Sequence, residues 1–495
     1  MNATKNVSLL VLTPLMLLHH SLFSFVERLA KFSATVMKFD TSYLIYLRRD
    51  HFQKEIPRNL RTFSFASNAL IAMSWYIEEQ QPVYLDYNAT TPLEASVKAA
   101  ITAGLELWTN PASGNPIALK AREEIDSARK SLGNLLHVNG EEVIFTSGGT
   151  EANNWVINSA LEKFKSEYQG QMPHMICSSI EHPSILQPLR HLRDIGSIEL
   201  TTLEIDRKSG QITPSDVLEL VTPSTCLVTV MLANNETGVL QPIADLSDAV
   251  RKAESKHGTT VFLHSDASQA VGKIDVNIAE LKVDAVTVAG HKFYGPRNGA
   301  LVLRSKYTSQ ILPWIYGGGQ ERGLRSGTEN TPMIMGLGAA AAACNLSQTE
   351  AHLRTIRDYF EQQLKECLPD QHVVHFSASP RLPNTSSVAF PKYPKPSADL
   401  IAKCKTFYAS TGSACHSGSV SSTLLACGIS KELVERTIRF SFGRETTRED
   451  VCGSSGKRAK GNDVSGKTRQ FSDERDKRGP RGWILIIWYD ADETE

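Results

Sequence analysis

A chain of 495 residues, 41% hydrophobic and 21% charged, is long enough for two domains with sizeable cores. Its 53 basic residues balance 53 acidic ones, so bulk charge gives no case for nucleic acid or an anionic membrane as partner. The eight cysteines are scattered without a Cys-x-x-Cys pair, which argues against a zinc site and fits reduced thiols.

Residues 7–26 contain no Asp, Glu, Lys or Arg and follow Lys5, the pattern of a signal peptide or short anchor, although Pro14, His19 and His20 interrupt it. Residues 1–82 are therefore expected to be a targeting segment or an over-extended gene model, with Met73 as an internal start. From residue 93 to 305 helical and strand-like segments alternate in the βαβ manner. A helix is expected over 117–136, where Ile125, Ala128, Leu132 and Leu135 share one face. Strands are expected at 143–146, 175–178, 227–232, 261–264, 286–288 and 300–303.

Chemistry-bearing residues follow these strands in turn. After the first comes Thr146-Ser147-Gly148-Gly149-Thr150-Glu151, a glycine turn and helix start whose N–H groups suit a phosphate, with Thr150 adding a hydroxyl. The second leads to Glu181-His182-Pro183, where His182 can lie flat on a ring, and the third to Asn234-Asn235, whose amides suit a ring oxygen. Asp266 and Gln269 lie beyond the fourth, and Ala289-Gly290-His291-Lys292 beyond the fifth. Strand ends of open α/β sheets are where ligands sit, and a lysine there can lose its proton and condense with an aldehyde. Taken singly, Lys292 reads as a surface residue, Asp266 as a helix cap and His182 as a satisfied structural group. Their order along the chain is what favours a site.

The second half begins with a helix expected over 350–368 and strand-like segments at 373–376, 387–390 and 406–410. The small-residue loop Thr411-Gly412-Ser413-Ala414-Cys415-His416 follows, with Cys415 as a candidate reactive thiol beside His416. In Thr437-Ile438-Arg439-Phe440, Arg439 alternates with apolar residues, so an inward guanidinium suits a carboxylate.

Together these motifs resemble the fold-type I pyridoxal-phosphate enzymes of the class V aminotransferase family, which includes cysteine desulfurases and selenocysteine lyases. The resemblance runs from about Val83 to about Asp450 and takes in Tyr84-Leu85-Asp86-Tyr87-Asn88-Ala89-Thr90-Thr91-Pro92, Gly317-Gly318-Gly319-Gln320-Glu321-Arg322 and Arg325-Ser326-Gly327-Thr328. It implies an α/β fold, with a large cofactor domain over 83–345 built on a mostly parallel sheet covered by helices. A smaller α+β domain over 346–451 and an atypical polar tail over 452–495 would follow. The implied cofactor is pyridoxal 5'-phosphate, joined through its aldehyde to Lys292. Asp266 would pair its pyridine nitrogen, Gln269 and Asn235 its ring oxygen, and His182 its ring face. An aspartate about 4 Å away, at an effective dielectric of roughly 20, contributes about 4 kcal/mol, or about three pKa units, enough to keep that nitrogen protonated. Gly149, Thr150 and His291 would hold the phosphate, joined by Thr328 from the other subunit of a homodimer. Arg439 and Asn88 would hold the substrate, and Cys415 would meet its chalcogen.

Ala289 departs from the pattern, since many bacterial-type desulfurases have a serine hydroxyl there. The tail also departs, lacking helical periodicity until 483–488 where relatives continue with an amphipathic helix. The implied reaction removes the chalcogen from a cysteine-type amino acid and leaves alanine. His291-Lys292-Phe293-Tyr294-Gly295-Pro296-Arg297 and Ala414-Cys415-His416-Ser417 point to selenocysteine as substrate. Cysteine, with persulfide passed to an acceptor protein, is the alternative, and a non-catalytic binding homologue is an alternative of another class. Keeping Lys292, Asp266 and Arg439 together argues against the last. A cytoplasmic location is expected, or a mitochondrial or secretory one if the 7–26 segment is genuine.

Overall fold

The structure, a computed structural model, describes residues 82–412 and 420–452. The apolar N-terminal stretch, the Met73 start, Cys415 with His416 and the tail beyond 452 lie outside the described residues. Among the described residues no helix is long and apolar enough to cross a membrane.

Seven strands form the main sheet. They are β2 (Val143–Thr146), β3 (His174–Ser178), β4 (Glu199–Leu203), β5 (Thr225–Thr229), β6 (Phe262–Asp266), β7 (Ala285–Ala289) and β8 (Gly299–Leu303), in the order β2-β8-β7-β6-β5-β3-β4. Neighbours pair in parallel from β7 through to β4, and only β8 runs antiparallel to the strands beside it. The mostly parallel sheet expected from the sequence is therefore present. Side chains alternate across it as the strand period demands: Val143, Ile176, Val228, Leu263 and Val286 enter one apolar cluster, while Ile144, Met175, Leu227, Phe262 and Ala285 enter the other. Burial on both faces explains the consecutive apolar residues at the heart of these strands, such as Val143-Ile144-Phe145, Leu227-Val228 and Phe262-Leu263.

The helix expected over 117–136 spans Pro116–Leu135, capped by Asn115, which accepts from the Ala118 N–H. Strand β4 was not expected from the sequence: at the sheet edge most of Glu-Leu-Thr-Thr-Leu is left partly or fully exposed, and it lacks the apolar signal.

The C-terminal part packs helix Leu346–Cys367 against the antiparallel sheet β12-β10-β9, formed by β12 (Thr437–Ser441), β10 (Thr385–Ala389) and β9 (Val373–Val374). Phe360, Phe440 and Phe442 are central to its core, with ring centroids 4.8 and 5.3 Å from Phe360. The first described strand, β1 (Val83–Tyr84), pairs in parallel with β11 (Phe407–Tyr408), and Leu85 enters this same core. The residues after Leu85 then turn toward the large sheet, so Asp86, Asn88 and Ala89 reach both parts.

Candidate active site

The carboxyl ends of β3, β5, β6 and β7 open on a cavity of about 570 Å3, lined by Gly149, Thr150, His182, Asn235, Asp266, Gln269, His291, Lys292 and Arg439. That size is typical of small-molecule sites, roughly 300–1,000 Å3. Nine residues predicted from separate motifs thus meet in one place, and Asn88 joins them.

Strand β7 ends at Ala289, and the turn Gly290–Lys292 brings Lys292 to the cavity. Gly290 is required there, because a Cβ would lie 2.7 Å from the Pro296 carbonyl oxygen. Lys292 Nζ donates to the carbonyls of Asn88 at 2.8 Å and Ala89 at 2.9 Å. His291 bonds Thr90 Oγ1 through Nδ1 at 3.1 Å, and burial ahead of neighbouring cations lowers its pKa to about 4, so its ring is neutral.

Asp266 closes β6 and is buried. Its Oδ1 accepts from the Ser268 N–H at 2.9 Å, a local turn bond with no helix for it to cap, and its Oδ2 accepts from Asn153 Nδ2 at 2.8 Å. Asn153 Nδ2 also donates to Ser184 Oγ at 2.8 Å, and Ser184 Oγ lies 2.8 Å from His182 Nδ1. A hydrogen-bonded chain therefore ties Asp266 to His182. The Ser184 backbone N–H also donates to His182 Nδ1 at 3.1 Å, which makes Nδ1 the acceptor and places the neutral ring's proton on Nε2. Burial lowers the His182 pKa, outweighing the nearby Asp266, so the neutral form is favoured.

Helix Gly149–Glu167 starts at the cavity, and its first turn is braced by Glu151, which accepts from the Ser147 N–H at 2.7 Å and pairs with Arg325 at 2.8 Å. Arg325 belongs to the same loop as Thr328, which is exposed and does not line this chain's cavity.

Arg439 lies on β12, where Ile438 and Phe440 turn into the apolar core. Its Nη2 meets Asp86 Oδ1 at 2.6 Å, and its Nη1 donates to the carbonyls of Asn235 at 2.9 Å and Gly412 at 2.8 Å. Its Nε is buried without a hydrogen-bond partner. Arg444, by contrast, pairs with Glu94 and stacks on Tyr294 outside the cavity.

Asn88 differs from the expectation of a substrate contact. Its Oδ1 accepts from Lys273 and Asn384, both at 3.0 Å, and its Nδ2 donates to Thr385 Oγ1 at 2.9 Å and the Asn235 carbonyl at 3.3 Å. An amide makes four such bonds, so this side chain is fully used within the protein and braces the floor of the site.

Several supporting residues were missed in the sequence. Asn153 follows the glycine turn on the helix face toward Asp266, a placement legible only with the helix register in hand. Ser268 lies beside Gly149, with Oγ 3.2 Å from where a Gly149 Cβ would stand. Glu181 is buried, with Oε1 bonded to Ser178 and the Met231 N–H but Oε2 unpartnered, and burial raises its pKa to about 8.

Known proteins share this architecture. A selenocysteine lyase of Xenopus tropicalis is 44% identical over 390 residues, covering 74% of this chain and 90% of that protein. One of Bos taurus is 42% identical over 400 residues, covering 75% and 91%. A cysteine desulfurase IscS of Dictyoglomus turgidum is 37% identical over 378 residues, covering 75% and 92%. Among solved structures, a NifS-like protein superposes with a TM-score of 0.67 at 30% identity, covering 75% of this chain and 96% of its own. SspA in complex with cysteine gives 0.64 at 31%, covering 73% and 99%. With residues 83–452 matching the aminotransferase class-V family, the chain belongs to that family.

Proposed function

We propose that this chain is a pyridoxal-phosphate-dependent lyase that decomposes selenocysteine to alanine and releases the selenium. The observation that carries the reading is the convergence of Lys292, Asp266, His182, the Gly149 helix start and Arg439 on one cavity. The donor set fits the cofactor: a helix N-terminus suits its phosphate, a buried carboxylate its pyridine nitrogen and a neutral imidazole its ring face. When bound, the cofactor supplies an aldehyde for the substrate amine and an electron sink for the charge that develops at Cα.

This chain's residues do the rest. Lys292 Nζ, aimed by the Asn88 and Ala89 carbonyls, moves the Cα proton. Asp266 keeps the pyridine nitrogen protonated, and the Asn153–Ser184 link keeps the His182 ring aligned with it. Arg439, which lines the cavity, takes the substrate carboxylate. Gly412 bonds Arg439 and Ser421 lines the cavity, so both flanks of the segment holding Cys415 reach the site. Cys415 either attacks the departing selenium, forming an S–Se bond as the Cβ–Se bond breaks with its electron pair left on Cβ, or supplies the proton that Cβ takes up while the selenium leaves as elemental selenium.

Relatives named selenocysteine lyase, at 41–44% identity, support selenocysteine as substrate. Relatives named cysteine desulfurase IscS, at 35–37%, favour a second reading in which sulfur passes to an acceptor protein. Assay of the purified protein on both amino acids side by side separates the two.

The reading includes a homodimer. Thr328 is exposed and away from its own chain's cavity, yet its loop is tied to the Gly149 helix through the Arg325–Glu151 pair, which supports a role across an interface. Mixed dimers of Lys292→Ala with Thr328→Ala should then carry one doubly defective site and one intact site. Activity in isolated mixed dimers well above either parent is expected, and none above the parents would count against the shared site.

A further inference from the structure

A second lysine lies behind the cavity wall. Lys273 is 4% exposed, in the turn after Gln269. Gly272 makes that turn possible, with φ +76° and only 2.5 Å between an added Cβ and Phe293 Cβ, the residue following Lys292. Lysine is seldom buried this deeply without a carboxylate partner. Here Nζ meets two amide oxygens instead, Gln269 Oε1 at 2.8 Å and Asn88 Oδ1 at 3.0 Å. Burial, followed by the cations Lys292 and Arg439, pushes its pKa well below the usual lysine range. Even a neutral amine keeps two N–H donors, one for each of these oxygens.

The two ends of an amide have nearly the same shape, so its orientation is set by its partners. Asn88 has a second donor on its oxygen, Asn384 Nδ2. Gln269 Oε1 is bonded to Lys273, while Gln269 Nε2 donates to the Asn88 carbonyl at 3.0 Å, the same carbonyl that receives Lys292 Nζ. Turned over, the amide would set an oxygen against that carbonyl. Nε2 carries two hydrogens, and Gln269 lines the cavity.

We propose that Lys273 is a positioning residue that holds the Gln269 oxygen inward, so that Gln269 presents an N–H donor to the cavity and selects a ligand with an anionic ring oxygen. The inference rests on the cofactor reading above, in which that oxygen belongs to pyridoxal phosphate. Lys273 touches neither cofactor nor substrate and acts through Gln269.

The test is a cycle of Lys273→Met, Gln269→Leu and the double variant, each stripped of cofactor and checked for thermal unfolding. Pyridoxal phosphate is then titrated in, and the pH midpoint of its absorbance change is followed. Lys273→Met should weaken binding about tenfold, the size of one lost hydrogen bond of about 1.4 kcal/mol, and should shift the midpoint. On the Gln269→Leu background it should change affinity less than about twofold, because both act through one amide. Lys273→Gln, which keeps a donor, should recover most of the affinity, and Lys273→Leu, which has none, serves in place of Met if that variant does not fold. The proposal is overturned if the variant without a donor binds and titrates as wild type does, or if its effect multiplies in full with that of Gln269→Leu. A wild-type protein that takes up no pyridoxal phosphate would instead overturn the cofactor reading.

Discussion

Lys292→Ala is expected to abolish turnover, by about a thousandfold or more, since general acid–base catalysis alone contributes roughly 10²–10⁴. The substitution removes the amine that condenses with the cofactor as well as the base that moves the Cα proton. It also leaves the Asn88 and Ala89 carbonyls without this donor. Cofactor affinity should fall less than activity, because the Gly149 helix start, Asp266 and His182 remain. Borohydride treatment of the wild type should fix pyridoxal phosphate on Lys292, and a peptide map with the adduct on another lysine would contradict the assignment.

For Arg439→Ala the expected result is a KM raised by about a hundredfold, since removing one partner of a buried, hydrogen-bonded charge pair costs roughly 2–5 kcal/mol. The change removes the guanidinium that meets substrate and strands Asp86 and the carbonyls of Asn235 and Gly412. Arg439→Lys should not restore affinity: a compact ammonium cannot span these acceptors and still offer a planar fork to a carboxylate. The cofactor spectrum should stay unchanged, since Arg439 is not among the residues assigned to the cofactor. A KM close to that of the wild type would show that another group takes the carboxylate.

Much of the sheet was legible because strands buried on both faces are mostly apolar, as Val143–Thr146 and Ala285–Ala289 are with one threonine each. Edge strand Glu199–Leu203 was hidden by the converse, since an edge needs no such run. The shared placement of Lys292, Asp266 and His182 was legible because each lies at or within four residues of a strand's carboxyl end, where chain order fixes which end of the sheet they occupy. Their supports were not. Lys273 and Asn88 are 185 positions apart, and Asn153 and Asp266 are 113 apart, so only the folded chain reveals these bonds. Nothing in the sequence Val271-Gly272-Lys273-Ile274 signals a buried amine. Asn88 shows the reverse: its motif suggested a substrate ligand, but the amide is already saturated by four partners.

The central claim is the substrate, and release of selenide and sulfide by the same purified protein, with a thiol reductant supplied to both reactions, tests it most directly. A selenol is more acidic than a thiol, so near neutral pH selenocysteine presents a charged leaving group and cysteine a protonated one. The account predicts rapid release of selenium with equimolar alanine from selenocysteine, little sulfide from cysteine, and loss of much of the selenocysteine activity or of the preference in Cys415→Ser. Comparable sulfide release from cysteine by the wild type, with a persulfide trapped on Cys415, would contradict it and make the chain a cysteine desulfurase.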